Sequence, residues 1–257
     1  MTCVFLKNCT FLYVSLYTII FYSKYIPNAL GSITLLSIFH TLYKVRGDFF
    51  MFIPKYFKVT AVEEIEDFIQ HNSFGTIVTM KKGRAIATHI PLLLEKDEKD
   101  DYYITGHVAY GNPQWRTFEE SEEALVMYQG PHAYISASWY KDENVPTWNY
   151  QAVHVYGKVE ILNQDELKKS LTNLLYKYES HRKDPILWDK LSPSLLEAEL
   201  KGIVGFRVKV QDIQAAYKLS QNHNEEDYNN IIHNLYEEKA LESHQLADAM
   251  KKIKNLK

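Results

Sequence analysis

The sequence predicts a β-barrel with helical additions, an α+β protein whose strands run mostly antiparallel. Three observations predict it. Runs of strand-forming residues bounded by turn residues recur along the body of the chain. Helical periodicity is confined to a few insertions. No internal repeat or low-complexity linker interrupts the sequence after Met51. Such an order of elements suits a closed antiparallel sheet with helices added at its ends. The chain has 257 residues, 46% hydrophobic and 24% charged, which is enough for one sizeable globular domain.

The elements follow in order. Thr60 and Glu63 form an S/T-x-x-E capping box, and Val62, Ile65, Phe68 and Ile69 recur at helical spacing, so a helix is expected to near Asn72. "GTIVTMKKGRAIATHIPLLLE" reads as a strand, a turn at "KKGR" and a second strand, with Pro91 marking an edge or a bulge. "EKDEKDD" is a charged hairpin tip before the strand "YYITGHV". Asn112 and Pro113 suit the N-cap and first position of a short helix. "ALVMYQG" and "AYISASWY" read as two strands joined around Gly130-Pro131, and "YQAVHVYGKVEIL" as another with Val153, Val155 and Val159 on one face. Asn163 and Glu166 repeat the cap pattern before a helix whose stripe is Leu167, Leu171, Leu174, Leu175 and Tyr178. "SPSLLEAELKG" is a short helix, "IVGFRVKVQDI" a late strand, and the last 35 residues two polar helices.

Residues 1–50 differ from the rest. They hold four basic side chains and one acidic. With those set aside from totals of 29 and 32, residues 51–257 carry a net charge of −6. Two uncharged runs of 16 and 19 residues flank Lys24, but Asn, Ser, Thr, Pro and His interrupt them, and a spanning helix needs roughly 20 apolar residues. Arg46-Gly47 can be encoded as a purine-rich string like a ribosome-binding site, three codons before Met51. The expectation is a misassigned start, with a membrane anchor or a signal peptide as the alternatives. The organisation expected is therefore an apolar extension over 1–50, a barrel domain over 51–222 and a helical segment over 223–257.

The only cysteines are Cys3 and Cys9, so the body holds no thiolate nucleophile, no Cys-ligated metal and no disulfide. That fits a reducing cytoplasm. GxSxG, HExxH, GxxxxGK[ST] and strand-linked GxGxxG signatures are absent. No histidines stand at metal-ligand spacing with a carboxylate partner, and no metal is expected. His89, His107, His132 and His154 each lie in or beside a predicted strand, next to Gly, Pro, Ser or Thr. Two readings stand open for them: the mouth of a ligand site, or a half-buried pleat that tolerates His. Trp115, Trp139 and Trp148 sit among Asn112, Gln114, Arg116, Ser136, Ser138, Thr147 and Asn149 rather than among aliphatic neighbours. Buried amides and hydroxyls need partners. A flat heterocycle supplies them and stacks on aromatic faces. Arg116, Thr88, Ser136 and Ser138 would suit its phosphate.

The motifs "GHVAYGNPQW", "GPHAYISASWY", "VPTWNYQAVHVYG" and "KLSQN" resemble those of the PaiB family, over essentially all of 51–257. The resemblance implies a six-stranded FMN-binding split barrel, related to pyridoxamine-phosphate oxidases and flavin reductases. It implies a homodimer with FMN at the subunit interface, and a negative transcriptional regulator linked to protease synthesis and sporulation. It places Thr88, His89 and Ile90 along the flavin. Gly106, His107 and Val108, with Asn112 and Trp115, would surround its phosphate and ring. Ser136, Ser138, Trp139 and Tyr140 match a motif usually written with Pro after the first Ser; Ala137 stands there instead, which bears on the local turn. Thr147, Trp148, Asn149 and Tyr150 match fully, and Lys218 and Gln221 belong to the late motif, which would reach the partner subunit's site. A flavin-dependent oxidoreductase is the alternative function, and related barrels also handle haem. The acidic body argues against autonomous DNA binding and leaves an indirect or weak association, despite Lys251, Lys252, Lys254 and Lys257.

Overall fold

The computed structural model describes residues 51–254. The expectations for residues 1–50 lie outside the described residues. After a single 3-10 turn come β1 (Lys58–Val59) and α1 (Val62–His71). Next are β2 (Phe74–Lys81), β3 (Arg84–Pro91), β4 (Leu93–Lys96), β5 (Tyr102–Ala109), β6 (Ala124–Ile135) and β7 (Thr147–Ile161). Then follow α2 (Gln164–Glu179), α3 (Pro193–Leu200), β8 (Ile203–Lys218), α4 (Glu225–Glu237) and α5 (Leu241–Lys254). Met51–Lys257 gather into one compact unit. No helix among the described residues is long and apolar enough to cross a membrane.

The strands form one sheet in the order β3-β2-β6-β7-β8-β5-β4, with β1 added to β8 and every pairing antiparallel. β3 and β4 occupy opposite ends of that order, yet only Leu92 separates them. One residue spans at most about 3.6 Å. The two ends of the sheet must therefore meet, and the sheet closes into a barrel across a seam bridged by the chain rather than by a ladder. Leu92 is fully buried; its N–H donates to the Ser73 carbonyl at 2.7 Å and its carbonyl accepts from the Tyr128 hydroxyl at 3.3 Å. Six long strands make the barrel wall, as expected of a split barrel. Ile77, Ile104, Val126, Val153, Val155, Phe206 and Val208 are buried within the core.

Several local expectations are corrected. The "IATHIPLLLE" run is two strands on opposite edges, because Pro91 cannot extend a ladder and Leu92 carries the chain across the seam. Residues 124–135 are one strand with a bulge between Gln129 and His132, not two strands, and "SASWY" leaves the sheet as a 3-10 turn. Thr60 does not cap α1; Ala61 is the N-cap, with no side-chain bond, because β1 holds the preceding backbone against Ala215 and Ala216. β8 runs on through Lys218, well past "QDI".

Other expectations hold. Lys82 and Gly83 form a two-residue turn with φ of 49° and 78°, the type I′ pattern that matches strand twist. Asn163 and Glu166 form the capping box of α2. Of that helix's stripe, Leu167 is buried, Leu171, Leu174 and Leu175 are half-buried, and Tyr178 is exposed. Arg207 anchors the start of α2 to the sheet, bonding Glu160 at 2.7 Å and Glu166 at 3.2 Å. The two C-terminal helices are less polar than they read. Ile231 and Leu235 of α4 and Leu246 and Met250 of α5 are fully buried. At about 1.5–3 kcal/mol for each large apolar side chain, this burial fixes the pair on the barrel.

Candidate functional site

The residues expected around a flavin fall into two groups. The first lies on β3, β5 and the loop after β5. Its centre is Gln114, which is 0% exposed. Its Nε2 donates to the Ile77 carbonyl at 3.1 Å, the Ile86 carbonyl at 3.0 Å and Thr79 Oγ1 at 3.2 Å. Its Oε1 accepts from the Thr88 hydroxyl, and Thr88 in turn accepts from Asn112 Nδ2 at 3.0 Å. Asn112 Oδ1 receives the Gln114 N–H at 2.9 Å, capping the 3-10 turn Pro113–Thr117. One buried amide thus clamps the loop onto the β2–β3 hairpin. Trp115 Nε1 donates to the Tyr110 carbonyl at 2.9 Å, and the Arg116 guanidinium stands 4.3 Å over the indole.

Within this group the neighbours differ in how they face. Ile90 packs partly buried on the core, and Gly106 and Val108 are buried in it. A Cβ at Gly106 would meet the Leu92 side chain at 2.9 Å and the Phe206 ring at 3.1 Å, so any larger residue would have to displace both at the seam. His107 is half-buried, and burial lowers its pKa, which favours the neutral imidazole. His89 is exposed on the outer sheet face, its Nδ1 2.7 Å from Thr76 Oγ1.

The second group lies at the far ends of β6, β7 and β8. Ser136 caps the turn Ala137–Trp139, with its Oγ 2.9 Å from Ser138 Oγ. The turn therefore forms with Ala137 in place. Trp139 packs partly buried on the core, and Tyr140 is buried with its ring 5.0 Å from His223. Trp148 is 55% exposed, 6.1 Å from Tyr134 and 6.2 Å from His132. The Lys218 ammonium donates to Thr147 Oγ1, beside half-buried Tyr150.

Two predicted residues of this group are spent inside the protein. Asn149 is 0% exposed; its Nδ2 donates to Ser220 Oγ at 2.8 Å, and Ser220 donates back at 3.2 Å. Ser220 has φ of 60°, a left-handed position that this pair holds in place. Gln221 spans its own turn, accepting from Leu219 N at 2.7 Å and donating to the Tyr217 carbonyl at 2.6 Å. Both back the site rather than face it.

The two groups do not meet within one chain. Through the strand register, His89 lies level with Thr76, Met127 and His154. Thr147 is seven residues further along β7. That is roughly 23 Å at about 3.3 Å per residue. The donor set nevertheless fits a flavin mononucleotide. Arg116 and Lys218 are cations, Ser136 and Ser138 offer hydroxyls, and Trp115 and Trp148 offer aromatic faces. The residue that sequence reasoning underused is Gln114, taken only as a polar neighbour of Trp115. Its signal was its place two residues past a capping Asn, next to a proline. Among the described residues no three His, Cys, Asp or Glu side chains group to hold a metal.

Comparisons with known proteins show what the chain is similar to. The model of the family described as "Putative FMN-binding domain" matches residues 51–212. A Bacillus subtilis (strain 168) protein named "Protease synthase and sporulation protein PAI 2" is 66% identical over 200 residues, 78% of this chain and 96% of that protein. An uncharacterized protein of Emericella nidulans is 27% identical over 209 residues, 65% of this chain and 83% of the relative. Among solved structures, the flavocytochrome Anf3 of Azotobacter vinelandii superposes with a TM-score of 0.52 at 15% identity, over 69% of this chain and 78% of that one.

Proposed function

Because the chain belongs to the PaiB family and carries an FMN-binding domain, we propose that it is an FMN-binding transcriptional regulator of the cytoplasm, acting in negative control of protease synthesis and sporulation. The observation that carries this reading is the 66% identity, over nearly the whole of its length, to a relative named for those two processes.

FMN is held between two copies in a homodimer. The separation of the two residue groups supports this: one copy offers Thr88, His107, Asn112 and Trp115, and the partner offers its Ser136 to Tyr140 turn, Trp148 and Lys218. The cations and hydroxyls hold the phosphate, and exposed Trp148 and half-buried Trp115 cover the ring. When bound, FMN supplies electron- and hydride-accepting chemistry at its ring. The chain's own residues position it and exclude water.

Regulation is indirect in this reading. Of the C-terminal lysines, Lys252 already pairs with Asp67 at 2.7 Å and Lys251 lies 4.3 Å over the Tyr236 ring, which leaves little basic surface for a phosphate backbone. Deletion of the chain should raise transcripts of extracellular protease genes, and a variant that no longer binds FMN should fail to restore repression. Unchanged transcripts in the deletion would overturn the regulatory reading. Rapid bleaching of the bound flavin by NADH or NADPH would instead favour a flavin-dependent oxidoreductase.

A further inference from the structure

A second cleft adjoins the group on β6, β7 and β8: His132, on its lining, lies 6.2 Å from Trp148. It is bounded by α1, the β6 bulge, the inner ends of β7 and β8, and α5, and its volume is about 500 Å³. No residue assigned above to the flavin lines it. Its floor is the ring pair Phe68 and Tyr217, 5.3 Å apart, and both residues are nearly fully buried. Gly130 makes the floor possible, since a Cβ there would stand 2.5 Å from the Phe68 ring.

Two polar side chains facing this space make no hydrogen bond among the described residues. Gln151 is only 9% exposed and lines the cleft, yet its side-chain amide has no hydrogen-bond partner among the described residues. The Gln151 amide is not among the sealed side-chain atoms without partners, so it meets solvent in the cleft, and a guest that displaced this solvent would have to supply its partner. The Glu64 carboxylate also accepts no hydrogen bond among the described residues, and burial raises its pKa while Lys252 acts the other way. Lys252 itself is engaged with Asp67. Counting Glu64, Asp67 and Glu242 against Lys252, the lining is short of positive charge.

We propose that this cleft is a second small-molecule site, built for a protonated amine that carries a flat apolar group. The ring would rest on Phe68 and Tyr217, the ammonium would meet Glu64, and the Gln151 amide would complete the contacts. An anion is disfavoured because the one cation present is already paired, and a purely apolar guest would leave the carboxylate and the amide buried without partners.

The probe is benzylammonium, titrated into the full-length protein carrying its FMN and followed by calorimetry, with benzyl alcohol and benzoate as neutral and anionic counterparts. One amine per chain is expected, bound at least about tenfold more tightly than either counterpart, as a charge-assisted contact implies. Glu64→Gln, on the half-buried rim, should weaken the amine by a similar factor and leave the flavin spectrum and the benzyl alcohol affinity unchanged. Gln151→Leu should weaken all three probes. No heat from benzylammonium up to about 10 mM would overturn the proposal. So would equal binding of benzyl alcohol by the unmodified protein, a result that requires no variant to fold.

Discussion

At the scale of single residues, the buried amide of Gln114 is the most exposed to test. It joins two carbonyls, two threonines and, through Thr88, the capping Asn112. Gln114→Leu keeps much of the volume but strips those partners. The expected loss is about 2–3 kcal/mol, read by urea unfolding, because buried groups left unsatisfied cost about 1–3 kcal/mol each. FMN affinity should fall with it, whereas the same loss of stability introduced at α2 should leave FMN affinity unchanged. Two histidines set an acid limit. Burial lowers the pKa of both His107 and His154, and His154 Nδ1 has no partner. Their contribution is complete above the unfolded value near 6.5. It is lost as the pH falls toward their lower folded values, since the unfolded chain then binds more protons. Stability measured from pH 7 to pH 5 should decline, and His154→Phe should flatten that decline.

At the scale of elements, turn and bulge positions carry the next expectations. Lys82 occupies a left-handed position in a two-residue turn. Lys82→Asn should raise stability by about 0.5–1 kcal/mol, seen as a higher melting temperature. Gly157 sits at the bulge facing β8, where an added Cβ would collide with the Lys209 carbonyl backbone. Gly157→Ala should cost at least about 2–3 kcal/mol, and soluble yield should drop. The β2–β3 hairpin and the α2 cap were legible because period and turn chemistry are local properties. The break at Leu92 was not, because an apolar run reads alike whether it stays on one strand or changes sheet edge. The α4–α5 stripe was hidden among Glu, Asp, Asn and Lys on the opposite faces. At the site, four sequence motifs located the loops. They could not separate residues that face outward, such as Trp148, from Asn149 and Gln221, which are consumed within the chain.

At the scale of the whole molecule, the two half-sites make the oligomer part of the chemistry. If each flavin takes one half from each copy, His107→Ala and Lys218→Ala variants should each lose FMN affinity as homodimers. Mixed dimers of the two should recover one sound site of the two in every pair, so isolated mixed dimers should carry about half of the unmodified flavin content, and a random co-expression mixture about a quarter. No recovery in verified mixed dimers would place both groups' effects within a single chain. Light scattering should give twice the monomer mass throughout.

The seam at Leu92 also governs when the barrel can exist. β5 pairs on one side with short β4 and on the other only with β8, whose Ile203 meets Ala109. On a translating ribosome, β5 therefore emerges 94 residues before its long neighbour. At about 5–20 residues per second, that leaves an unsatisfied strand edge for roughly 5–20 s. β2 and β3 can zip at once as a hairpin, while closure waits for nearly the whole chain. Nascent chains stalled before residue 203 should thus be the species that chaperones hold, and slowing synthesis across β8 should increase aggregation more than slowing it across β2 and β3.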